Sequence, residues 1–206
     1  MFTGLVSDVG TVVSVSGAGD LRRIAIRASY DPATIALGAS IACSGPCLTA
    51  VSVEPDAGGC VFAVDAAAET LARTTVGLWR AGTRINLERS LKIGDELGGH
   101  LVTGHVDGLA EIVARESVTA GAWGASERFT LRAPAALAKF IAEKGSVCLD
   151  GTSLTVNAVA GDQFSVLLIP HTLQVTTWGE RRAGDRLNLE VDLIARYAAR
   201  LAEARA

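Results

Sequence analysis

A duplication constrains this chain more than any other feature. The 30 residues from Phe62 to Leu91 lie over those from Phe164 to Leu193 without a gap and match at 15 positions. Two further blocks recur in the same order. FTGLVSDVGTVV from Phe2 resembles VTGHVDGLAEIV from Val102, and ASIACSGPCLTAV from Ala39 resembles GSVCLDGTSLTVN from Gly145. Solenoid units are shorter and more numerous than two copies, so each copy reads as a complete small domain. The expected division is 1–100, 101–192 and a tail over 193–206, with the boundary near Gly98 to His100.

Within the first copy, Thr11 to Val15, Arg23 to Arg27, Ala39 to Cys43, Leu48 to Val53, Cys60 to Val64 and Arg84 to Leu87 are short and rich in β-branched residues, with Gly, Pro and Asp between them. Six short strands without long intervening helices predict a mainly β protein of two tandem six-stranded barrels, since closure removes exposed edges. Asp31-Pro32 opens a short helix, and Ala133-Pro134 opens another that reaches about Glu143. After Asp192, Ile194, Tyr197, Ala198 and Leu201 form an apolar stripe at helical spacing. A helix that short is marginal alone, so the stripe must cover its own barrel or another copy of the chain.

Composition excludes several classes. The formal charge is −3 and the basic residues are scattered, which gives no stripe to follow phosphates, so nucleic acid is not expected. No apolar run approaches the roughly 18 residues of a membrane span, and the N-terminus lacks a signal-peptide core; a cytoplasmic location is expected. Cys43, Cys47, Cys60 and Cys148 form no C-x-x-C pair, so neither disulfide nor zinc is expected. Dinucleotide, P-loop, G-x-S-x-G and H-E-x-x-H motifs are missing.

Comparing the copies sorts the candidate site residues. Gly4 with Gly104, Gly45 with Gly151, Leu48-Thr49 with Leu154-Thr155, and Thr70 with Thr172 are shared. The glycines fit turns, while a strand-borne threonine can either shape the strand or read the donor–acceptor edge of a heterocycle. Cys47 faces Ser153, Leu5 faces His105 and Ser44 faces Asp150, differences that equal barrels would not need. Cys47 is a small buried hydrophobe or a polar lining group and nucleophile; His105 is structural or an acid/base. A strand through GHLVTGHVDG would send His100 and His105 to opposite faces, against a shared metal.

MFTGLV, SGPCLTAV, GGHLVTGHVDG and KGSVCLDGTSLTV, taken in this order, resemble the signature segments of riboflavin synthase, and the resemblance covers nearly the whole chain. It implies Greek-key barrels, a homotrimer held in part by the C-terminal helices, no metal or organic cofactor, a functional link to lumazine synthase, and dismutation of two lumazines at a site between subunits. Carried over by position, one lumazine meets Cys47, Leu48, Thr49, Asp65, Ala66, Ala67, Ala68, Glu69 and Thr70, with Gly104, His105, Val106 and Lys144 brought near. The other meets Gly4, Leu5, Val6, Ser153, Leu154, Thr155, Leu167, Leu168, Ile169, Pro170, His171 and Thr172. The roles implied are His105 as acid/base, Ser40 and Cys47 as polar groups at the reacting ring, Ser153 and Thr155 as positioning donors, and Asp192 as a carboxylate assisting proton transfer. The competing class is a non-catalytic lumazine- or flavin-binding antenna protein of the same fold; a third is a barrel that serves only as an interaction module. Ser44, Pro46, Ala67, Ala68 and His171 depart from the commoner family pattern.

Overall fold

The computed structural model describes residues 1–121 and 124–204. Alternating apolar residues build six strands in each half. In the first they are β1 Asp8–Ser16, β2 Leu21–Ala28, β3 Ser40–Cys43, β4 Cys47–Asp56, β5 Gly59–Ala67 and β6 Arg84–Arg89. In the second they are β7 Gly108–Gly121, β8 Gly124–Arg132, β9 Ser146–Leu149, β10 Thr152–Ala160, β11 Gln163–Leu168 and β12 Arg186–Val191. Each set closes into an antiparallel barrel, in the order β1-β2-β5-β4-β3-β6 and, equivalently, β7-β8-β11-β10-β9-β12. Inward residues fill the two barrels: Ile24, Ile26, Phe62, Ile85 and Leu87 in one, Ile112, Phe129, Leu131, Trp178 and Leu187 in the other. Fully burying one such side chain contributes roughly 1.5–3 kcal/mol.

The helical elements are α1 Ala68–Arg73, α2 Ala135–Ala138, α3 Pro170–Val175 and α4 Leu193–Glu203. The expected helix from Ala133 to about Glu143 shrinks to α2. Beyond it Phe140, Ile141 and Gly145 donate to the carbonyls three residues earlier, tight turns that drop Ile141 into the core. The short helix expected at Asp31-Pro32 is a 3-10 turn over Pro32–Thr34 capped by Asp31, and α4 follows Asp192 as expected; residues 205 and 206 of the expected tail lie outside the described residues, as do 122 and 123 of the second half. No described helix is long and apolar enough to cross a membrane.

The barrels meet across a pseudo-twofold axis. Phe2 and Val102 pair as an antiparallel bridge and pack with Ala42 and Cys148 into a small core between the halves. Around it the Asn86 amide donates to Asp150 O at 2.8 Å and the Asn188 amide to Ser44 O at 2.7 Å. In return Thr177 N–H donates to Asn86 Oδ1 and Thr75 N–H to Asn188 Oδ1, each at 2.8 Å. Two buried amides thus satisfy backbone groups of the opposite barrel, where unpaired polar atoms would be costly.

The Ser44/Asp150 difference belongs to this interface. Ser44 Oγ accepts Asn86 N–H at 3.0 Å, while buried Asp150 accepts Asn188 N–H at 2.8 Å and pairs with Arg181 at 2.7 Å. It adds an ion pair to one side of the joint.

Candidate active site

Residues 2–7 and 102–107 leave the sheets and form two straps. The expectation of a strand through residues 100–107 is therefore corrected: apart from the bridge at Val102 this stretch is irregular, because its donors go to side chains. Buried Glu190 takes Thr103 N–H at 2.7 Å, Thr103 Oγ1 at 2.7 Å and Gly104 N–H at 2.9 Å. Glu88 does the same for Thr3 and Gly4, at 2.7, 2.7 and 2.9 Å. Burial pushes the Glu88 carboxyl above its ordinary value, opposed by the donors from Thr3 and Gly4.

Held by its own barrel, each strap reaches the other. Gly104 O accepts Cys47 N–H at 2.9 Å, and Gly4 O accepts Ser153 N–H at 2.8 Å. Both glycines have positive φ, +78° and +76°, and a Cβ there would lie 2.5 Å from Cys47 Cβ and 2.6 Å from Ser153 Cβ. Only glycine allows the approach.

Where the second strap crosses the first barrel, a cleft of about 360 Å³ opens, lined by Pro46, Cys47, Glu69, Thr70, Arg73, Thr74 and residues 104–107. Six of the expected residues are therefore brought together: Cys47, Glu69, Thr70, Gly104, His105 and Val106. His105 is exposed toward this space and Cys47 is half-buried in its wall. Strand alternation sends Leu48 into the core but keeps Thr49 on the Cys47 face, beside its partner Ser40. Ala66 is also core, Asp65 pairs with Arg23 at 2.8 Å, and Ala67 and Ala68 are exposed at the β5–α1 junction. Lys144 is not part of this lining; it turns at φ 65° on the second barrel, its N–H on Val156 O.

At the symmetry-related place, Gly4 lies against Ser153, and Leu5 and Val6 follow it along the strap. Leu5, Thr155, Leu167, Ile169 and His171 are exposed, Leu154 and Thr172 are half-buried, Pro170 starts α3, and Leu168 is core. Asp192 caps α4, accepting Ile194 N–H at 2.7 Å. This half gains a group that the first lacks: His100 Nδ1 is 2.6 Å from Ser153 Oγ, while its buried Nε2 has no partner among the described residues. Burial lowers the His100 pKa below 6.5, with Asp192 and Glu190 opposing. The two histidines thus serve different barrels, His105 beside Cys47 and His100 on Ser153.

The lumazine binding domain model matches residues 3–90 and again 103–192. A riboflavin synthase of Brucella abortus is 58% identical over 98% of both chains, and one of Mycobacterium bovis 44% identical over 98% of both. The chain belongs to the riboflavin synthase family. Its fold is also that of LumP, whose complexes with riboflavin and with 6,7-dimethyl-8-(1'-D-ribityl) lumazine superpose with TM-scores of 0.79 and 0.77 at 22% and 21% identity, each covering 93% of this chain and 99% of LumP.

Comparison of the copies pointed to Cys47, Thr70, Gly104 and His105 in the lining of this cleft but missed its supports. Asn86, Glu88, Asn188 and Glu190 stand in INLER and LNLEV, where the shared Asn-Leu-Glu was the available signal. The sequence raises His100 only as a candidate metal ligand, and its contact with Ser153, 53 residues away, is one that local spacing does not record.

Proposed function

We propose that this chain is a riboflavin synthase that converts two molecules of 6,7-dimethyl-8-ribityllumazine into riboflavin and 5-amino-6-(ribitylamino)uracil, a transferase reaction moving a four-carbon unit. The observation that carries this reading is the paired strap-over-barrel arrangement, intact in both halves, in a chain 58% identical end to end to a curated riboflavin synthase. Two strap-over-barrel arrangements of one design, unlike at Cys47/Ser153 and His105/Leu5, suit two copies of one substrate that must react differently as donor and acceptor.

The lumazine supplies its own electron sink: the C7 methyl carbanion spreads over the ring, so the protein needs a base and rigid placement. His105 is the acid/base; Ser40 and Cys47 offer polar atoms to the ring in the first barrel, and Ser153 and Thr155 position the second lumazine. Asp192 assists proton transfer. Holding the two rings together contributes roughly 7–11 kcal/mol through proximity and orientation.

No metal or organic cofactor enters this scheme. The assembly is a homotrimer, with each active site between the first barrel of one subunit and the second barrel of its neighbour. Supporting it, Ile194, Tyr197 and Leu201 on α4 are 71%, 61% and 64% exposed, while the other side of α4 reaches the second barrel through Arg196 and Glu203. The reading places the enzyme in the cytoplasm, next to the lumazine synthase reaction that makes its substrate.

Incubating the purified protein with the lumazine alone tests this directly. Riboflavin must form at one equivalent per two lumazines consumed. Bound but unconverted lumazine would identify an antenna protein instead, and no binding would leave an interaction module.

A further inference from the structure

The two straps are pinned differently at their far ends. Ser7 and Asp107 occupy equivalent positions, and each donates its backbone N–H to the last strand of its own barrel, Ser7 to Leu87 O at 2.9 Å and Asp107 to Leu189 O at 2.8 Å. Their side chains diverge. Ser7 Oγ lies 2.7 Å from Tyr30 Oη, within the first barrel. The Asp107 carboxylate, only 9% exposed, takes Val191 N–H at 2.9 Å and Arg196 Nη2, which lies 2.7 Å from Oδ1 and 2.8 Å from Oδ2.

Arg196 belongs to α4, one turn past its cap, where its N–H reaches Asp192 O at 3.1 Å. It lies outside the apolar stripe of Ile194, Tyr197 and Leu201. Asp107 lines the Cys47 cleft and follows His105 by two residues. The strap is therefore clamped on both sides of His105, by Glu190 at Thr103 and Gly104 and by Arg196 at Asp107. Asp107 is 9% exposed and Arg196 38%, and the charge-assisted contact of one guanidinium nitrogen with both carboxylate oxygens favours one geometry over its neighbours.

Building on the riboflavin synthase reading, we propose that Arg196 is a positioning residue for the reaction: its ion pair with Asp107 ties the His105 strap to the C-terminal helix, so the seating of that helix sets where His105 stands over the Cys47 cleft. The helix then contributes to catalysis as well as to assembly. The first strap, pinned within its own barrel by Tyr30, lacks this dependence.

The test is a double-mutant cycle on the full-length protein, with kcat, KM and particle mass by light scattering read for each variant. Arg196→Ala lowers kcat about tenfold, as a small displacement of an acid/base does, while KM for the lumazine moves less than about threefold. Arg196→Lys recovers most of the loss, since one nitrogen makes both contacts. Asp107→Asn, which keeps every residue of α4, reproduces the kcat-weighted loss even where Arg196→Ala disturbs assembly, and adding Arg196→Ala to it costs nothing further. The inference is overturned by additive losses, by no rescue with lysine, by a loss confined to KM, or by kcat within about twofold of the parent. A parent protein that makes no riboflavin would overturn the functional assignment instead, and is recognised before any variant is made.

Discussion

Replacing Glu190 by alanine should loosen the strap that carries His105 and destabilise the whole chain. Its carboxylate accepts the N–H groups of Thr103 and Gly104 and the Thr103 hydroxyl, all within 2.9 Å, in a residue 3% exposed. Without it the hydroxyl can rotate to another acceptor, but two backbone donors cannot. Each donor left unpaired costs about 1–3 kcal/mol, so the expected loss is about 2–6 kcal/mol. Glu190→Gln retains one acceptor oxygen but turns an amide N–H toward a donor, and should lose roughly half as much. Urea unfolding followed by tryptophan fluorescence measures both; the mirrored Glu88→Ala should lose a similar amount by way of the other strap. A loss below about 0.5 kcal/mol for Glu190→Ala, the level of an unremarkable surface change, would refute the view that these bonds hold the strap.

His105→Ala should reduce turnover by about 10²–10⁴-fold in steady-state assays, and a value within about threefold of the parent would remove His105 as the acid/base. Gly104→Ala should abolish the approach to Cys47, since its Cβ would sit 2.8 Å from Cys47 N at a φ of +78°; lumazine titration should show weakened binding in that cleft, and unchanged affinity would count against the strap as part of the site. Because burial holds the His100 pKa below 6.5, the folded chain binds that proton less readily than the unfolded one. The contribution of His100 to stability is then complete above pH 6.5 and declines as pH falls toward its folded pKa. Urea midpoints measured about one pH unit on either side of 6.5 should differ less in His100→Gln than in the parent; an equal difference would contradict the assignment.

The sequence made the barrels legible because duplication doubles every signal: strands from Thr11 to Leu87 have counterparts over the second half, and turn glycines recur with them. Helices α1 and α3 escaped because six residues hold too few turns for a periodic pattern. Ala133 to Glu143 has helical composition, but burial of Ile141 ends the helix early, a tertiary demand that propensity does not carry. In the site, the resemblance and the Cys47/Ser153 and Leu5/His105 differences pointed to Cys47, Glu69, Thr70, Gly104, His105 and Val106, which line one cleft, and also to Leu48, Ala66 and Leu168, which the barrels bury in their cores. What stayed hidden is long-range: that Gly104 would meet Cys47, that Glu190 would hold Thr103, and that Arg196 would reach back to Asp107. Such contacts follow from closing the barrels, and local spacing does not record them.

The most direct test of two reactive clefts per chain is a binding titration with a lumazine analogue that lacks the C7 methyl group and so cannot react. Two analogues bound per chain, one of them lost in Gly104→Ala and the other in the equivalent Gly4→Ala, is the predicted result. Saturation at a single analogue per chain, unaffected by one of the two substitutions, would contradict the account, since one cleft would then have no part in the chemistry.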